Sequence, residues 1–185
     1  MRKKHILLLL VAAVLLLAGC NQATNKGFYL YKSSPIGFRI EYPQSWTKQV
    51  DLDKKIAAFV TPQEGIGDRY RDNISITQES LGEQEFSEFF AAHYAALPGQ
   101  FAGFTAESKE EVLVDNREAY KIVFSSSRTV KDDKGKESTA KLRVMQYVVK
   151  VEEKAYFITY IGEPEAYDYF MPFVNVMMET VSFKV

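Results

Sequence analysis

The chain has 185 residues, with 23 Lys and Arg against 24 Asp and Glu and a formal net charge of −1 at pH 7. A balance this even lacks the basic excess that a phosphate backbone demands, which excludes a nucleic-acid binder. One Cys and two His exclude an internal disulfide and a zinc or copper site built from several such ligands, so stability must come from a packed core.

The chain opens on Arg2, Lys3, Lys4 and His5, followed by an almost wholly apolar run from Ile6 to Ala18 and then Gly19-Cys20. A basic head, a short apolar run and small residues at a cut point make a secretory signal peptide. The run falls short of the ~20 residues that span a bilayer. Leu17-Ala18-Gly19-Cys20 resembles the lipobox of bacterial lipoproteins, which implies cleavage before Cys20 and a diacylglycerol thioether on its sulfur. Two acyl chains hold a protein firmly where one gives marginal binding. The expected organisation is therefore a signal peptide over 1–19, a lipidated cysteine and polar tether over 20–27, and one domain over 28–185. Membrane attachment would run through Cys20, with the folded part on the extracytoplasmic side. Three of the basic residues and none of the acidic ones lie in 1–19, so the exported part is mildly acidic and offers no polybasic second anchor.

Phe28-Tyr29-Leu30-Tyr31 begins ordered structure as a short strand. From Gly37 to Tyr42 the residues alternate, Phe38, Ile40 and Tyr42 on one face and Arg39 and Glu41 on the other, the pattern of a half-buried strand. Pro43 stops it, and Trp46 follows in a turn, folding back over the sheet edge. Ile56–Val60 is the next strand, closed by Pro62. A loop over 63–72 carries Gly65, Gly67, Asp68, Arg69, Arg71 and Asp72. Asn73–Thr77 resumes alternation with Ile74 and Ile76 inward.

Ser80-Leu81-Gly82-Glu83 fits a capping box with Ser80 as N-cap. The helix it opens aligns Phe86, Phe89, Phe90, His93, Tyr94 and Leu97 on one face, and Pro98-Gly99 is expected to end it. Glu111–Val114, a turn at Asp115-Asn116 and Ala119–Phe124 make a hairpin. Lys131–Lys136 is a polar tip. Lys141–Val149 is a long strand with Leu142, Val144, Gln146 and Val148 on one face and Met145, Tyr147 and Val149 on the other, buried on both towards Val149. A turn at Glu152-Glu153 leads to Ala155–Tyr160. Gly162-Glu163-Pro164 opens a last helix with a buried stripe of Phe170, Phe173, Val174, Met177 and Val181, kinked or restarted at Pro172. Ser182–Val185 is a final extended piece. Short polar turns between neighbouring strands favour antiparallel pairing. The fold class is α+β, an antiparallel sheet of six to seven strands sandwiched by helices.

Candidate sites are few. After the leader the one histidine is His93, on the apolar face of its helix, where packing is the plainer reading and a catalytic or metal role the sharper one. No nucleophile-elbow serine, P-loop or dinucleotide fingerprint accompanies it. Asp68 and Asp72 could offer oxygen ligands to a divalent cation, although their spacing is not that of an EF-hand; the plainer reading is a solvated loop held by ion pairs. Trp46 either packs in the core or, exposed beside Tyr42 and with Tyr70, anchors a partner.

Gly37-Phe38-Arg39-Ile40-Glu41-Tyr42-Pro43 with Trp46, then Phe59-Val60-Thr61-Pro62, Asp72–Ile76, Ala119-Tyr120, Ala155–Tyr160 and Ser182-Phe183 together resemble the PsbP-like family, in its bacterial lipoprotein branch, over about residues 28–185. The resemblance implies an antiparallel sheet between helices. The photosystem II role of plant and cyanobacterial members is not carried over, because no metal or photosystem-contact residue can be matched here. The expected function is a non-catalytic, lipid-anchored binding or accessory protein without a cofactor, touching another envelope component. A small-molecule or divalent-metal-binding lipoprotein is the second reading and an enzyme the third.

Overall fold

The computed structural model describes residues 25–63, 70–131 and 135–183. Nine strands and two helices are laid out among them: β1 Phe28–Ser33, β2 Phe38–Pro43, β3 Thr47–Asp51, β4 Ile56–Val60, β5 Asn73–Ser80, α1 Phe86–Gln100, β6 Thr105–Val114, β7 Arg117–Lys131, β8 Glu137–Val151, β9 Lys154–Gly162 and α2 Pro164–Thr180. Seven strands form one antiparallel sheet in the order β3-β4-β5-β9-β8-β7-β6, and β1-β2 form a separate hairpin. The fold is α+β, with a layer on each face of the large sheet.

The connections explain the layers. β5 sits mid-sheet and β6 at its edge, so the crossing that carries α1 must pass over β9, β8 and β7. The helix seals that face, where Phe86, Phe90 and Leu97 pack with Ile122, Phe124, Val144, Val148 and Phe157. On the other face α2 and the β1-β2 hairpin share a second core, in which Tyr167, Phe170, Val174 and Met177 meet Phe38, Ile40, Phe59, Ile74, Ile76, Met145, Val149 and Ile158. β8 and β9 are therefore apolar on both sides, as the Val149 end of the sequence foretells. Tight turns set the registers. Val114 faces Arg117 across Asp115 and Asn116, whose φ values of 51° and 58° are those of the type I′ turn that matches strand twist.

Several local expectations are corrected. Glu41 is buried, not outward, because the hairpin's second face is itself covered: its carboxylate accepts hydrogen bonds from the Asn25 backbone N–H (3.0 Å) and side-chain amide (2.8 Å). Ser80 is the last residue of β5, paired with Lys154, and α1 starts at Phe86 after the N-cap Glu85, without a side-chain cap. Ser80 Oγ instead accepts from the Gly82 N–H at 3.2 Å. Pro98 lies inside the last turn of α1 and Pro172 inside a continuous α2. Both prolines lie on the exposed side of their helices, away from the packed core. Phe173 belongs to the outer side of α2, not its buried stripe; Tyr167 takes its place within.

Candidate ligand-binding cleft

The residues singled out from the sequence do not converge. Cys20 and Asp68 lie outside the described residues. Tyr42 and Trp46 are 8% and 4% exposed: Tyr42 lies against Phe59 with ring centroids 4.7 Å apart, and the Trp46 indole meets Phe170 edge-on at 5.6 Å. Both fill the α2-side core and present little surface to a partner. Tyr70 is half-buried, with the Arg128 guanidinium 6.0 Å from its ring, and burial pushes its hydroxyl pKa up. Asp72 is buried and turned inward. Its carboxylate accepts from the Tyr160 hydroxyl and from the Glu163 backbone N–H, each at 3.2 Å, so it serves the entry to α2, where a negative charge suits the helix dipole. Among the described residues no three His, Cys, Asp or Glu side chains gather closely enough to hold a metal ion.

What the fold does assemble is a cleft of about 400 Å³ between α1 and the middle of the sheet. α1 brings Phe89, Ala92, His93 and Gln100, and the sheet brings Thr77 of β5, Gln146 of β8 and Phe157 and Thr159 of β9. Register dictates the grouping. Gln146 stands opposite Thr159, and Thr77 opposite Phe157, so β8, β9 and β5 present one row to the helix. Gln146 is the polar exception on a strand face that otherwise carries Val144 and Val148.

A buried amide needs partners, and here they are found. Gln146 Nε2 donates to Thr159 Oγ1 at 3.0 Å, and Gln146 Oε1 lies 2.6 Å from His93 Nε2. Because the amide oxygen only accepts, the proton of the His93 ring belongs on Nε2. The His93 ring also rests 4.8 Å from that of Phe157. The result is a hydrogen-bond chain, imidazole to amide to hydroxyl, with aromatic rings beside it and Glu79 and Gln84 at the rim. The volume lies in the range of small-ligand sites, and the lining is mostly polar, with Phe89, Ala92 and Phe157 as its apolar part. Sequence reasoning noted His93 and Gln146 separately; their pairing is tertiary and has no local signal.

An antiparallel sheet with a helix on one face and a helix plus hairpin on the other defines an α+β sandwich. No protein-family model matches the chain, and no curated protein sequence does. Solved structures do. Cyanobacterial PsbP from Synechocystis sp. PCC 6803 superposes with a TM-score of 0.58 at 12% identity, over 90% of this chain and 98% of that one. LpqN, involved in cell envelope biogenesis of Mycobacterium tuberculosis, gives 0.57 at 11% identity over 87% of each chain. A Pseudomonas aeruginosa protein of unknown function gives 0.57 at 17% identity, over 83% of this chain and 94% of that one. At these identities the likeness is one of fold, and the fold is PsbP-like.

Proposed function

We propose that the protein is a non-catalytic binding or accessory domain, held by lipid on Cys20 at the extracytoplasmic face of a bacterial membrane. The observation that carries the non-catalytic reading is the engagement of His93. Its Nε2 is tied to a neutral amide at 2.6 Å, and its neighbours in the cleft are amides, threonine hydroxyls and rings, with one carboxylate, Glu79, at the rim. The anchor reading is supported by the basic head, the apolar run and Cys20. The envelope role of LpqN, which shares the fold, is compatible with it.

Mass spectrometry of the protein purified from its own membranes tests the anchor. The expected mature chain begins at Cys20 and carries a diacylglycerol thioether, and Cys20→Ala leaves the leader uncleaved. An unmodified chain inside the cell would refute it. A second reading, a lipoprotein that binds a small neutral polar molecule, is favoured by the cleft itself. Titration calorimetry of wild type and Thr159→Val against fractionated envelope extracts tests it; binding that Thr159→Val weakens is expected, and flat traces for wild type count against it.

A further inference from the structure

We infer that the outward face of α2 lies on the lipid–water interface of the bilayer that holds Cys20, an inference that rests on the anchor reading above. The buried side of α2 carries Tyr167, Phe170, Val174 and Met177. Its other side carries Tyr169, Pro172, Phe173 and Val176, spaced as one stripe along the helix, with the exposed Glu165 and Glu179 at its two ends. Tyr169 is 67% exposed and Phe173 38%. Adjacent large apolar side chains left at the surface of a folded domain mark a contact site, and what lies beside this stripe tells with what.

Phe28 packs its ring 6.4 Å from that of Phe173. Three residues earlier, Asn25 is fixed by both of its hydrogen bonds to the buried Glu41 carboxylate. The chain therefore reaches the domain at a pinned point next to the stripe. Cys20 precedes Asn25 by five residues, which at full extension reach no more than about 18 Å. A lipid on Cys20 thus keeps the bilayer within that distance of Asn25, three residues before the Phe28 that meets Phe173. Tyrosine and phenylalanine on one helix face are the side chains that settle at headgroup level. The exposed Lys26 adds a cation for anionic headgroups, while Asp168, on the same helix, is paired with Arg143 at 3.3 Å. The cleft under α1 occupies the opposite layer of the sheet, so this orientation turns it away from the membrane.

The test uses the full lipidated protein in vesicles of phosphatidylethanolamine and phosphatidylglycerol in equal parts. A photo-crosslinking residue is placed in three separate variants, Tyr169→p-benzoylphenylalanine, Phe173→p-benzoylphenylalanine and, on the exposed side of α1, Glu88→p-benzoylphenylalanine. The Tyr169 position is largely solvent-exposed and spares the fold. Adducts of lipid mass are expected at 169 and 173 in at least about fivefold excess over 88. Equal yields at all three positions, or adducts at 169 and 173 consisting of a second protein chain, would overturn the inference. The N-terminal peptide of the same samples reads the anchor independently. Lipid on Cys20 without the excess sinks the orientation alone, and no lipid on Cys20 sinks both.

Discussion

The Asp72 carboxylate occupies the space that a side chain on Gly162 would need. All three of its carboxyl atoms would lie within 2.8 Å of a Cβ at that position. The carboxylate cannot swing aside cheaply, because it is buried and accepts hydrogen bonds from Tyr160 and from the Glu163 N–H. Gly162→Ala is therefore expected to destabilise by about 2–4 kcal/mol through overpacking and the lost cap. Urea unfolding measures it. In an Asp72→Ala background the same substitution should cost clearly less, since the obstruction is gone. Additive costs would show that the two residues do not compete for this space.

Tyr167 gives the stability a high-pH limb. Burial pushes its hydroxyl up to about 12. The unfolded chain ionises near 10 and the folded one later, so the neutral form is favoured by folding. The contribution is complete below pH 10 and is lost as pH rises from there through about 12. Its ceiling is about 2 kcal/mol. Tyr42, Tyr70, Tyr147 and Tyr156 are raised by burial in the same direction and steepen the fall. Melting temperatures of wild type and Tyr167→Phe across pH 8 to 12 are the comparison. The variant should lose stability less steeply above pH 10; parallel curves would remove Tyr167 from the account.

The hydrogen-bond chain in the cleft makes a spectroscopic prediction. In ¹H–¹⁵N spectra His93 is expected to carry its proton on Nε2, the atom that faces Gln146 Oε1. Gln146→Leu should abolish that preference and cost about 1 kcal/mol, because the half-buried ring can regain water while Thr159 loses a donor. An Nδ1-protonated ring in the wild-type protein would contradict the assignment.

Trp46 is the single tryptophan, so its fluorescence reports one place. Sealed edge-on against Phe170, it should emit to the blue of free indole and resist iodide quenching. Trp46→Ala should cost about 3–5 kcal/mol. Ready quenching by iodide in the folded protein would place the ring at the surface.

The fold was legible where an element carries a clear apolar pattern between turn residues: β2 and β5 alternate in sequence, and β4 and β9 are short apolar runs. β3 escaped notice because all but the last of its five residues are exposed, so no apolar period marks an edge strand of this kind. β7 and β8 run on to 15 residues each. Their outer ends, such as Arg128-Thr129 facing Ala140-Thr139, are held by ladder bonds more than by the core. The Ser80 box misled because the same serine could end a strand, and its pairing with Lys154 is a long-range fact. The cleft was hidden for the same reason: His93 and Gln146 lie 53 residues apart, and only the crossing of α1 over β8 makes them neighbours.

The rims of the large sheet are β3 and β6, and both expose ionic side chains: Lys48 on one, Lys109, Glu110 and Glu111 on the other. Open backbone edges invite strand-to-strand zipping between molecules, and charge is a common deterrent. Crowded copies would be discouraged from fusing their sheets into longer ribbons, leaving each one able to act singly.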